Sequence, residues 1–188
     1  MDQTLDNINF IKLWPTTIMS TTFITDIKVL QQEIYQLATI PNTIQKSNYG
    51  GWQSNADLQS NPVFNSLCEY IKTVVTSATG YNSVKCHQMW AGINKKHDFN
   101  TVHSHSNSFD FSGVYYVKVP NSSGSIAFRD PRPGQIHNGR KLYVSDCEYF
   151  IPFECMLLIF PSWLEHFVMP NQSDDDRICI SFDITLEN

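Results

Sequence analysis

Arg177-Ile178-Cys179-Ile180-Ser181-Phe182-Asp183-Ile184 is the stretch on which the reading of the fold turns. Ile178, Ile180, Phe182 and Ile184 alternate with Arg177, Cys179, Ser181 and Asp183. Successive side chains on a strand point to opposite faces, so this period of two predicts a strand over 177–185. Its apolar face should pack on helices or on a second sheet. Its polar face should line a site, with Arg177 at the start.

Working outward, shorter β-like runs fall at 84–94, 112–119, 124–129, 141–151, 155–160 and 166–169. A Pro/Gly loop at 130–140 interrupts them. Short strands at this spacing predict a sandwich or barrel. Before residue 80 two stretches have a helical period. Ile27, Leu30, Ile34 and Leu37 predict a helix over 26–39, with Asp26 as its cap. Val63, Phe64, Leu67, Tyr70, Ile71 and Val74 predict another over 62–78, with Pro62 in its first turn and Gly80 as its stop. Residues 8–25 read as one or two short strands, and 41–61 as a loop or short strand. No repeat or second domain is visible. The expected organisation is one domain over 1–188: a strand and two helices in 1–80, then a β-barrel or jelly-roll core over 84–185.

Bulk composition narrows the classes. The chain has 188 residues, 41% hydrophobic and 13% aromatic, which fits a globular domain with a core of ordinary size. A net charge of -5 with scattered Lys and Arg leaves no footprint for nucleic acid. No apolar run is long enough to span a bilayer. The first residues lack the basic and apolar regions of a signal peptide. The five cysteines show no paired spacing and read as reduced thiols in a cytoplasmic protein.

His103-Ser104-His105 opens the β-rich half. On a regular strand positions 103 and 105 share a face. A third histidine, His166, follows in Phe160-Pro161-Ser162-Trp163-Leu164-Glu165-His166, ahead of Arg177. Imidazoles bind Fe(II), Zn, Cu and Ni well, and three of them leave coordination positions open for substrate. Zinc hydrolases also use His-x-His, so the pair alone leaves the metal open. His87, His97 and His137 lack partner spacing and read as surface or loop residues. Trp90 and Trp163 read as core, Glu165 as surface, and Asp174-Asp175-Asp176 as a solvated loop tip. Arg129, Asp130 and Arg132 are placed at the barrel mouth, to bind substrate or to pair with one another.

From about Trp90 to Asp183 the chain resembles the Fe(II)- and 2-oxoglutarate-dependent oxygenases, in the group that includes the prolyl hydroxylases, and within it a microbial and phage branch. The resemblance is carried by His103-Ser104-His105, Ser112-Gly113-Val114-Tyr115-Tyr116-Val117, Phe128-Arg129-Asp130-Pro131-Arg132, Phe160 to His166, and Arg177 to Phe182. Leu13-Trp14-Pro15-Thr16 and Gly50-Gly51-Trp52-Gln53 look like the same branch. It implies a mainly β fold, the double-stranded β-helix (a cupin-like jelly roll), with the two N-terminal helices packed on one sheet. It implies His103 and His166 as iron ligands and Arg177 as the clamp on the far carboxylate of 2-oxoglutarate. Tyr116 would join that carboxylate, with Ser181 and Asn94 as further candidates for the cosubstrate pocket. The family's usual motif has Asp or Glu where this chain has His105. His105 is the expected third ligand, and Asp110 is the rival carboxylate.

The leading reading is therefore a dioxygenase using Fe(II), 2-oxoglutarate and O2, which couples decarboxylation of 2-oxoglutarate to hydroxylation of a small molecule or a protein side chain. The alternatives are a three-His cupin-like dioxygenase or hydrolase without 2-oxoglutarate, and a non-catalytic jelly-roll binding module. Expected surroundings are the cytoplasm, a host's if the gene is a phage's, with no membrane partner and a homodimer left open.

Overall fold

The structure, a computed structural model, describes residues 14–40, 44–106, 108–132 and 146–187. The alternating stretch forms β11 (Arg177–Glu187), which lies between β4 (Ser83–Asn94) and β6 (Phe111–Lys118). Around them the major sheet runs β1-β9-β6-β11-β4-β3, adding β1 (Met19–Thr22), β3 (Trp52–Gln53) and β9 (Met156–Pro161). The minor sheet runs β2-β5-β10-β7-β8, from β2 (Asn48–Tyr49), β5 (Phe99–His103), β7 (Ile126–Arg129), β8 (Cys147–Phe150) and β10 (His166–Val168). Every strand pairing among the described residues is antiparallel. Two such sheets face to face form the expected jelly roll.

The period of two in β11 sorts its side chains as the alternation requires. Ile178, Ile180, Phe182 and Ile184 are fully buried in a core shared with α1 (Ile27–Leu37) and α2 (Asn65–Thr79), through Leu30, Ile34, Leu67, Ile71 and Val75. Both helices thus cover the outer face of the major sheet. Asp26 caps α1 by accepting from the Lys28 amide at 3.1 Å. Pro62–Phe64 form a 3-10 turn that leads into α2, and Gly80 ends that helix in the left-handed region at φ 77°. A second core fills one end of the space between the sheets. Val114, Leu158 and Phe160 come from the major sheet, and Ile126 and Phe128 from the minor one. The other end is left open as a cavity.

Gly113 lets the first core close. A Cβ there would lie 2.3 Å from the Phe182 ring and 2.6 Å from the Leu158 carbonyl oxygen.

The structure departs from the sequence expectations in several places. Within 41–61 the short strand given as one alternative is found as two, each of two residues and made by pairing to β5 and β4, and a 3-10 turn follows at Leu58–Ser60. The strand expected over 141–151 is found as Cys147–Phe150, and that over 8–25 as Met19–Thr22; residues 133–145, with His137, and 1–13 lie outside the described residues. Trp163 is 53% exposed and is not core, because it sits in the turn between β9 and β10. No helix among the described residues is long and apolar enough to cross a membrane.

Candidate active site

The cavity between the sheets measures about 680 Å³ and takes its floor from the polar face of β11. Arg177, Cys179, Ser181 and Asp183 line it, as the alternation predicts. Facing them across the cavity, His166 on β10 pairs with His103 on β5 as antiparallel neighbours in the minor sheet. His105 completes the group. The side-chain nitrogens offered by His103, His105 and His166 all lie within 4.8 Å of one another.

One expectation about this trio changes. β5 ends at His103, so His105 is not on the strand. It is held in the loop beyond by its own amide, which donates to the Ser162 carbonyl at 2.9 Å. The loop brings the His105 ring back toward the other two, with ring centroids 5.4 Å from His103 and 5.2 Å from His166.

Hydrogen bonds settle which nitrogen of each ring is free. The Nδ1 of His103 meets the Thr101 carbonyl at 2.8 Å, and that of His166 meets the Leu164 carbonyl at 2.9 Å. The Nδ1 of His105 meets Oδ1 of Asp183 at 2.6 Å. A carbonyl only accepts, so in His103 and His166 Nδ1 carries the proton and Nε2 keeps its lone pair. Burial pushes the His166 imidazole down to about 3, with His103 beside it adding to the shift. Burial also lowers His103. Imidazoles anchored through Nδ1, with Nε2 turned to a common point, are the arrangement that metal-binding histidines use. The donor set therefore fits a divalent metal such as Fe(II).

Asp110, the rival ligand, is engaged elsewhere. Its carboxylate accepts from the Leu186 amide at 2.7 Å, and its amide donates to the Ile184 carbonyl at 2.9 Å, which ties the loop to β11.

Arg177 is 1% exposed. Its Nη1 donates to the Ser123 carbonyl at 2.7 Å, with the Met169 and Gly124 carbonyls at 3.4 and 3.5 Å. These are neutral acceptors. No carboxylate among the described residues pairs with this guanidinium, and Arg177 lines the cavity. A buried cation without a counter-charge is costly, so the fold is built for an anion here. Tyr116 lies close by, 2% exposed, and its hydroxyl bonds to no other described residue. Burial raises its pKa, with Cys179 adding to the rise and Arg177 opposing it, so the hydroxyl remains a donor. Asn94 pairs with Arg177 across β4 and β11 and is 5% exposed, and Ser181 lies on the same cavity wall. A cation, a phenol and an amide around one recess suit one end of a dicarboxylate.

Trp90 also belongs to the cavity and not to the core. It projects from the inner face of β4, and its ring stacks on His105 with centroids 5.8 Å apart. Arg129, Asp130 and Arg132 do not line the cavity: Arg129 pairs with Glu165 at 2.9 Å and Arg132 with Asp130 at 2.6 Å. In the acidic run Asp174 and Asp175 are exposed and pair with Lys96 and Lys118, while the half-buried Asp176 accepts from the Tyr35 hydroxyl at 2.9 Å. Asp183, Ser112 and Ser162 carried no role in the sequence reading. The signal for Asp183 was its place on the face shared with Arg177, Cys179 and Ser181; nothing local marked the two serines.

An antiparallel jelly roll with a histidine cluster and an anion recess between its sheets defines a metal-dependent oxygenase fold. The family model described as "Putative 2OG-Fe(II) oxygenase" matches residues 88–183, just over half of the 188, and the chain belongs to this family. The non-heme alpha-ketoglutarate-dependent epimerase SnoN of nogalamycin biosynthesis superposes with a TM-score of 0.69 at 11% identity, covering 90% of this chain and 78% of that one. A prolyl-4-hydroxylase from Pseudomonas putida gives 0.65 at 12% identity, covering 92% and 94%. HygX from Streptomyces hygroscopicus, with nickel, 2-oxoglutarate and hygromycin B bound, gives 0.64 at 10% identity, covering 91% and 83%. At these identities the likeness concerns the fold. No curated protein matches the sequence significantly.

Proposed function

We propose that this oxygenase holds Fe(II) on the Nε2 atoms of His103, His105 and His166, binds 2-oxoglutarate through Arg177, and hydroxylates a small molecule or a protein side chain. The observation that carries the reading is the buried guanidinium of Arg177, paired with no carboxylate among the described residues, beside three converging imidazoles. Bound iron would supply the activation of O2 that couples loss of carbon dioxide from 2-oxoglutarate to oxidation of a C–H bond. The chain's residues do the rest. Arg177 offers parallel N–H groups to a carboxylate, which fixes the direction in which the dicarboxylate lies. Tyr116 donates to the same carboxylate, and Asn94 and Ser181 complete the recess. Val114, Ile126 and Phe160 form an apolar wall that keeps water from the histidines. Trp90 borders the open side, where the substrate would sit.

The five cysteines show no paired spacing in the sequence, which supports a reducing compartment, and the cytoplasm is the proposed location.

The test is calorimetric titration of 2-oxoglutarate into the Mn(II)-loaded protein. Wild type should bind, and Arg177→Lys should bind about 10–100-fold more weakly, because Lys cannot reproduce the paired hydrogen bonds. Metal affinity should be equal in the two. Equal cosubstrate affinity, or no binding by the wild type, would overturn the reading.

A further inference from the structure

A ring of hydrogen bonds closes around His105. The His105 amide donates to the Ser162 carbonyl at 2.9 Å. The Ser162 hydroxyl lies 2.8 Å from the Ser112 hydroxyl, which donates to Oδ1 of Asp183 at 2.7 Å. A hydroxyl has one proton to give, so Ser112 accepts from Ser162. The same Oδ1 takes the His105 Nδ1 at 2.6 Å, and the ring returns to its start. Ser112, Ser162 and Asp183 are 0%, 1% and 3% exposed. The sheet imposes this closeness, because Ser112 on β6 pairs with Asp183 on β11 and with Phe160 on β9.

Three elements therefore converge on one imidazole. The other two histidines are anchored only on neutral carbonyls of their own segments, Thr101 and Leu164. His105 alone is anchored on a carboxylate, and that carboxylate has no Lys or Arg partner among the described residues.

We propose that Asp183 is a positioning residue that supplies a carboxylate to the metal centre from one residue further out. It holds the His105 ring with Nε2 toward the other two histidines. Its negative charge makes that imidazole a stronger electron donor than His103 or His166. The three-His centre then works with a charge balance closer to that of two histidines and a carboxylate. The inference rests on the proposed three-His site.

Mn(II) affinity tests it, measured by calorimetry on the whole chain, with Co(II) absorption as a second readout. Asp183→Asn keeps the shape and an acceptor oxygen while removing the charge. It should retain the fold by circular dichroism, weaken Mn(II) about 10–100-fold, and shift the Co(II) ligand-field bands. His105→Asp places a carboxylate at the metal directly and sets it against Asp183. In that background Asp183→Asn should strengthen Mn(II) binding, so the sign of its effect reverses. A purely structural role for Asp183 would produce no reversal. Wild-type affinity in Asp183→Asn, or the same change in both backgrounds, would overturn the proposal. His166→Ala is the control for the underlying site: if it binds Mn(II) like the wild type, the three-His centre itself is wrong. Loss of metal in His166→Ala with no effect of Asp183→Asn refutes the role of Asp183 alone.

Discussion

His103 and His166 form a cross-strand pair in the minor sheet, with ring centroids 4.2 Å apart. The pairing of β5 with β10 brings together two residues far apart in the sequence and places their rings on the cavity side.

Replacing either member of that pair should separate metal binding from folding. His166→Ala should abolish Mn(II) binding. It should also cost about 1–3 kcal/mol of stability, because it leaves the Leu164 carbonyl without its donor in a buried setting. Metal titration and chemical denaturation of the same preparation check both halves. Full metal occupancy in a folded His166→Ala protein would remove His166 from the ligand set.

Gly124 should matter for the anion recess although it touches no ligand. Its φ is +88°, and a Cβ there would lie 2.3 Å from the Met169 carbonyl oxygen. The Met169 and Gly124 carbonyls are both acceptors for Arg177 Nη1. Gly124→Ala should therefore shift the guanidinium, weaken 2-oxoglutarate binding several-fold, and destabilise the protein by about 2 kcal/mol. Metal affinity should stay at the wild-type value. Calorimetry with each ligand and thermal unfolding decide it.

Gly113→Ala tests the packing that carries β11. The added methyl would meet the Phe182 ring and the Leu158 carbonyl at well under contact distance. A loss of about 1–3 kcal/mol is expected in denaturant unfolding. A change below 0.5 kcal/mol, within the range of about ±0.5 kcal/mol usual for exposed surface sites, would show that the packing around Phe182 yields more readily than described.

Much of this was legible in the chain because it is written in local periodicity. The period of two in β11 predicted both which residues enter the core and which line the cavity, and the 3.6-residue stripes located both helices. For 41–61 the sequence allows a loop or a short strand and does not mark the bounds of β2 and β3, because two residues carry no period and these strands exist only through pairing with β5 and β4. His105 was expected on the strand. The bond from its amide to Ser162 takes it off, and that bond joins residues 57 positions apart, 162 less 105. Trp90 was read as core because large aromatics usually are, yet its parity on β4 matches the cavity residues Gln88, Gly92 and Asn94. Asp183 had the correct parity too. Its bond to His105 depends on how the loop after β5 folds back, which no strand pattern encodes.

The most direct measurement is a crystal structure of the protein soaked without oxygen in Mn(II) and 2-oxoglutarate. The account predicts one ion about 2.0–2.2 Å from Nε2 of His103, His105 and His166, with the far carboxylate of 2-oxoglutarate paired to Arg177 and Tyr116 and Asp183 still bonded to His105 Nδ1. An ion held by Asp110, or a 2-oxoglutarate lying away from Arg177, would contradict it.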